Sequence, residues 1–166
     1  MKNDKIEPET VIHEHVLAAR EGREWRVITR LYSGWVLFGQ QQFVCGYALL
    51  LPDPVVPSLN SLGAKERSQF LLDMAKVGDA LLKVTGCARI NYAIFGNVEP
   101  ALHAHVVPRY LDEPEDKRVA HPWAYDWNAA PVFDRKAMEE LGESLRRELG
   151  RMGVTKPMRF SPGENA

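Results

Sequence analysis

Apolar positions alternate with period two in some stretches of the chain and recur every three to four residues in others. Val11, Ile12, Val16 and Ala19 lie at helical spacing and predict a short N-terminal helix over residues 8–20, ending near Gly22. Three strand-like runs follow at 26–31, 35–38 and 43–51. The separating turns contain Tyr32-Ser33-Gly34 and Gly39 with Gln40, Gln41 and Gln42. Connections this short predict an antiparallel meander, because parallel strands need long crossovers. Pro52, Pro54 and Pro57 then predict a loop. Phe70, Leu71, Met74, Val77, Gly78, Leu81 and Leu82 mark one face of a long helix over 64–85, with Glu66 as a weak start signal and Gly86 as its stop. Two more strands are expected at 88–95 and 102–107, the second ended by Pro108. Residues 111–118 read as loop. A last helix runs over 134–152, with Asp134 as N-cap and Met138, Leu141, Leu145 and Leu149 on its apolar stripe. The final dozen residues are expected to be loose. The pattern predicts an α+β domain of about five antiparallel strands, one long helix between the third and fourth, and a C-terminal helix. The boundaries are 1–22 for a helical extension, 23–112 for the main domain and 113–166 for an aromatic loop and helix packed on it.

The length of 166 residues suits one core, and 45% hydrophobic with 26% charged residues is an ordinary globular balance. A net charge of -1 gives no general basic bias toward nucleic acid. No apolar run approaches the ~18 residues that span a bilayer. The N-terminus lacks an apolar signal core, so a cytoplasmic location is expected. Cys45 and Cys87 fit no metal spacing and read as buried thiols. His13 and His15 are about 200° apart on a helix and cannot share one ion, so they read as a solvated helix surface.

The chemistry concentrates in Ala101-Leu102-His103-Ala104-His105-Val106-Val107-Pro108-Arg109. Strand alternation puts Ala101, His103, His105 and Val107 on one face, and Leu102, Ala104 and Val106 on the other. The second face is suited to packing under a helix. The first presents two imidazoles about 7 Å apart along the strand, opening into a phosphate-sized hollow. Such a pair suits metal ligation, general acid–base catalysis, nucleophilic attack on phosphorus, or anion binding. Arg109 opposes a cation, and the Gly96-Asn97 turn offers backbone and an amide for phosphate oxygens, so phosphorus chemistry fits these surroundings best.

This stretch resembles the signature of the histidine-triad superfamily, His-x-His-x-His-x-x followed by Pro-Arg. His103 and His105 match the second and third histidines, and Ala101 stands where the first would be. Gly46-Tyr47-Ala48-Leu49-Leu50-Leu51-Pro52 resembles the family's Gly-His-x-Leu-x-x-Pro strand, with Tyr47 in place of its histidine. The Gly96-Asn97 turn resembles that of a bacterial branch labelled diadenosine tetraphosphate hydrolase-like. The resemblance spans about residues 25–110. It implies a histidine-triad fold and a nucleotide hydrolase or nucleotidyltransferase, with His103 as nucleophile toward an α-phosphate. His105 would shape the phosphate pocket and assist the leaving group. It further implies a nucleotide substrate, no obligatory cofactor or metal, and a homodimer. In the family a main-chain carbonyl near the first histidine orients the nucleophile, a role the carbonyl of Ala101 can keep. Asn97, and less directly Asn91, are expected at substrate, with Arg109, Tyr47 and Gln40. Trp123, Tyr125 and Trp127 suit either packing or contact with a base, and His121 is a further candidate. Two rival readings remain: a nucleotide-binding protein with little turnover, suggested by Ala101 and Tyr47, and a metal enzyme using both histidines as ligands.

Overall fold

A computed structural model describes residues 10–158. Its elements in chain order are α1 (Val11–Arg20), β1 (Val27–Leu31), β2 (Gly34–Phe38), β3 (Ala48–Pro52), α2 (Ala64–Thr85), β4 (Arg89–Ala93), β5 (Ala104–Arg109), α3 (Glu115–Arg118), α4 (Arg135–Arg151) and β6 (Thr155–Lys156). The strands form one antiparallel sheet in the order β4-β5-β3-β2-β1-β6. The expected α+β architecture is present, with six strands where about five were expected. The extra strand, β6, comes from the stretch expected to be loose: Thr155 and Lys156 pair with Leu31 and Arg30. Two residues carry too little period-two signal to announce a strand, and tertiary pairing makes this one. Residues 159–166 of that stretch lie outside the described residues.

Both helix layers follow from apolar stripes. Helix α2 buries Phe70, Val77, Ala80 and Leu81, and α4 buries Met138, Leu145 and Leu149. With Ile28, Leu50, Ala104 and Val106 they form the main core on one sheet face. Gly86, at φ 67°, ends α2 in the left-handed region. Asp134 caps α4 by accepting from the Ala137 amide at 2.9 Å. The α2 stripe is narrower than expected: Leu71 and Leu82 are each 38% exposed, while Asp73 is fully buried. Asp73 accepts from the Ser33 amide and hydroxyl and from Gln69, which ties α2 to the β1–β2 turn.

The other sheet face is covered by α1. Ile12, Val16 and Ala19 pack on Trp35, Leu37, Leu51 and Ala101. The helix is anchored at its polar side by a buried cluster in which Arg26 donates to Glu24 and His15 bonds Glu24 at 2.8 Å. His13 bonds the Thr10 amide and hydroxyl as part of a capping box. Both histidines therefore have structural partners, where a solvated surface was expected.

The remaining differences have local causes. The third strand begins at Ala48, because residues before it turn: the Tyr47 amide donates to Val44 O, and Gly46 has φ 89°. Pro108 lies inside β5. Pairing with β3 runs only from Ala104 to Val106, so at Pro108 the strand has β4 on one side alone, where a missing amide hydrogen is tolerated. Residues 115–118 form the short α3 within the expected loop. Cys87 is buried as expected, but Cys45 is exposed.

Candidate active site

β5 runs between β3 and β4, so its residues on the α1 side have cross-strand neighbours from both. His105 lies opposite Leu49 and Ala93, and Val107 lies opposite Asn91. Leu102, Ala104 and Val106 enter the main core, while Ala101 joins the cluster under α1 and Val107 joins a third cluster with Phe43, Val44 and Tyr47. The alternation expected from sequence therefore holds. The two imidazoles lean together, with ring centroids 4.8 Å apart and planes at 72°.

Each ring is fixed through Nδ1. For His103 the partner is the carbonyl oxygen of Ala101, at 2.8 Å. A carbonyl only accepts, so His103 Nδ1 carries the hydrogen, and in the neutral ring Nε2 keeps the lone pair. For His105 the partner is the Tyr47 hydroxyl, at 2.6 Å. Burial pushes the Tyr47 phenol well above its usual range, against the pull of Arg26, so it stays protonated. That hydroxyl makes no other hydrogen bond among the described residues. Donation to Nδ1 satisfies it and leaves the His105 hydrogen on Nε2. Burial first, and His103 second, push His105 down to about 4, so it is neutral at ordinary pH. The pair thus presents a bare nitrogen on His103 beside an N–H donor on His105.

Tyr47 reaches this position because Gly39 has no side chain: a Cβ there would fall 2.1 Å from Tyr47 Cε1. The Tyr47 carbonyl accepts from the Gly39 amide and from Gln42 Nε2, and Phe43 and Trp127 pack on its ring. Tyr47 was expected at substrate, yet it is only 2% exposed and acts on His105.

His103 is 7% and His105 9% exposed, so the pair is more covered than the open hollow expected. The cover includes Trp123, whose ring meets His105 edge to face at 5.0 Å and Phe95 at 4.9 Å. Trp127 and Tyr125 pack on Phe43. The aromatic loop therefore packs on the domain, beside the histidines. A cleft of about 270 Å³ opens next to Trp123.

Arg109 was expected as a positive charge for phosphate. Instead its N–H groups are all engaged: Nε and one terminal nitrogen bond Glu113, and the others reach Asn91 Oδ1 and the carbonyls of Lys117 and Ala120. It holds the aromatic loop, and no donor is left for a ligand. Glu113 completes the hub by accepting from the Tyr110 amide and the Tyr125 hydroxyl. Sequence reasoning passed over Glu113; its i, i+4 spacing from Arg109 was the available signal. Asn91 sits on the histidine side of the sheet through its pairing with Val107. Asn97 is exposed in the bend between β4 and β5, and Gln40 is exposed in the hairpin turn, where its carbonyl accepts from the Phe133 amide. Neither side chain bonds the histidines. Among the described residues, no group of three His, Cys, Asp or Glu side chains is placed to hold a metal. No helix of the described residues is long and apolar enough to cross a membrane.

The sheet order, the helix between β3 and β4, His105 on β5 and His103 just before it agree with the histidine-triad fold that the sequence resemblance implied. No protein-family model matches the chain, and no curated protein does. Solved structures do match. A histidine triad protein from Bradyrhizobium japonicum superposes with TM-score 0.65 at 24% identity, covering 74% of this chain and 88% of its own. One from Marinobacter aquaeolei VT8 has TM-score 0.68 at 16% identity, over 87% of this chain and 98% of that one. A zinc-bound histidine triad family protein from Mycobacterium smegmatis has TM-score 0.61 at 18% identity, over 82% and 93%. At these identities the likeness establishes the fold.

Proposed function

We propose that this protein is a nucleotide hydrolase or nucleotidyltransferase that attacks an α-phosphate through His103. The observation that carries this is the 2.8 Å bond from His103 Nδ1 to the Ala101 carbonyl, which presents Nε2 as a lone-pair donor. In the first step His103 Nε2 bonds to phosphorus and the bond from phosphorus to the leaving oxygen breaks. That oxygen departs as a phosphate anion, accepting a hydrogen bond from His105 Nε2–H. In the second step water attacks phosphorus, the phosphorus–nitrogen bond breaks with its electron pair returning to His103 Nε2, and the proton of the water passes to solvent. The substrate class suggested by the sequence resemblance is a dinucleoside polyphosphate, and the same resemblance suggests a homodimer in the cytoplasm. Asn97 and Gln40 remain proposed substrate contacts, reached on binding rather than held in advance.

A second reading, nucleotide binding with little turnover, is favoured by the low exposure of His103 and His105 beneath Trp123. A single set of assays separates the two and includes the metal alternative. Diadenosine tetraphosphate is offered to wild type and to His103→Ala, with and without chelator. Turnover that resists chelator and falls at least about a thousandfold in His103→Ala is expected, as is a one-nucleotide mass increase on His103 in a His105 variant. Saturable binding without turnover would establish the second reading. Loss with chelator and recovery with zinc would establish metal catalysis.

A further inference from the structure

Along the histidine side of β5 and the residue just before it, three features come in order: His103, then His105, then the cleft of about 270 Å³. The cleft is lined by Asn91, Ala93, Val107, His121 and Trp123, among others. Ala93 is the cross-strand partner of His105, and Asn91 that of Val107, so the cleft begins where His105 ends. The proposed chemistry gives this order a meaning. The bond that breaks joins phosphorus to an oxygen that must lie within reach of His105 Nε2–H. Whatever that oxygen is attached to continues away from His103 and into the cleft.

The lining identifies what fits there. Among the described residues no lysine or arginine lines the cleft, and the Arg109 guanidinium bonded to Asn91 has every N–H group engaged. Trp123 is 37% exposed and provides an aromatic surface, with the His121 imidazole 6.4 Å from it. Asn91 has a fixed orientation: its Oδ1 accepts from Arg109 at 2.9 Å, and its Nδ2 hydrogens have no partner among the described residues. An aromatic wall, an oriented amide donor and no net charge suit a neutral planar ring that carries acceptor atoms. The volume lies near the lower end for ligand pockets, room for one ring system rather than a whole nucleotide.

We infer that the cleft between β4 and the Trp123 loop is the subsite for a heteroaromatic ring on the leaving group, which makes the second nucleoside of a dinucleoside polyphosphate its occupant. The inference rests on the α-phosphate reading above for its direction, and on the cleft's own chemistry for its occupant.

Two substrates with the same phosphate chain isolate the ring: diadenosine tetraphosphate, and adenosine 5′-tetraphosphate, whose leaving group has no base. Wild type is expected to favour the first by about tenfold in kcat/KM, the scale of one base stacked on an aromatic side chain. Trp123→Ala should bring that ratio close to one. His121→Ala, a change at an exposed side chain that leaves folding intact, should lower it about threefold, through KM. Affinities for both compounds are measured in parallel by calorimetry on the same variants. A wild-type ratio near one, or a ratio unchanged in both variants, overturns the subsite. If neither compound is turned over, the hydrolase reading fails by itself. The subsite then stands or falls on whether diadenosine tetraphosphate binds tighter than adenosine 5′-tetraphosphate and loses that margin in Trp123→Ala.

Discussion

Tyr47 and His105 meet across 58 positions of sequence, and their hydrogen bond decides which nitrogen of His105 carries the proton. Tyr47→Phe keeps the ring, its packing on Phe43 and its close approach to Gly39, and removes only the hydroxyl. His105 Nδ1 then loses its donor while remaining buried. We expect kcat to fall by about a hundredfold with KM little changed, the scale of one displaced hydrogen-bond donor to a developing oxyanion. Thermal stability should drop modestly, by about 1–2 kcal/mol for an unsatisfied buried nitrogen. Steady-state kinetics and a melting curve check both. At this scale the histidine face was legible in the sequence, because strand alternation alone puts His103 and His105 together. The hold on His103 was legible too, since a carbonyl is present whatever side chain occupies position 101. The role of Tyr47 was not legible. It depends on how the segment before β3 turns, and no periodicity reports that.

The bounds of helix α2 were readable because its start and stop signals agree in one local window. The loop that carries Trp123 was readable only as aromatic-rich, since its path is set by a single hub. Arg109 and Glu113 are both almost fully buried side chains at 3.0 Å, and between them they hold three loop carbonyls, the Tyr110 amide and the Tyr125 hydroxyl. Burial works against the Glu113 charge, but the bonds from Arg109 and Tyr125 outweigh it and hold its pKa below the usual 4.5. The sign follows: the hub's contribution is fully present above 4.5 and is lost as pH falls through the lower folded value. Glu113→Gln should mimic that loss at neutral pH, leaving a buried guanidinium without its counter-charge at a cost of about 3 kcal/mol. Limited proteolysis should then cut within residues 111–131 at least about ten times faster, with kcat/KM for nucleotide reduced. Loop cleavage equal to wild type would refute the hub's role.

For the molecule as a whole, two layers on opposite sheet faces divide the work. Helices α2 and α4 close the main core, while α1 and the aromatic loop cover the side that bears the histidines. This division was legible from the alternating face of β5, whereas β6 and the exact reach of β3 emerge only once the sheet is assembled. The covered side has a global cost in acid. His105 has its folded value lowered from 6.5 to about 4, so the unfolded chain takes up a proton that the native one refuses. Stability from this group is complete above 6.5 and declines as pH falls toward 4, by up to about 3 kcal/mol. Urea denaturation across that window should show wild type losing more stability than His105→Asn. Parallel curves for the two proteins would refute it.

The acceptor that orients His103 belongs to the peptide backbone. Every amino acid supplies that oxygen, so no point mutation at position 101 can delete it; only a shift of the main chain could. The side chain there can therefore be exchanged while the reactive nitrogen stays pointed the same way. What a change at this site alters instead is how closely a helix can lie above it, since Ala101 is a small member of the cluster that Ile12 and Val16 of α1 join.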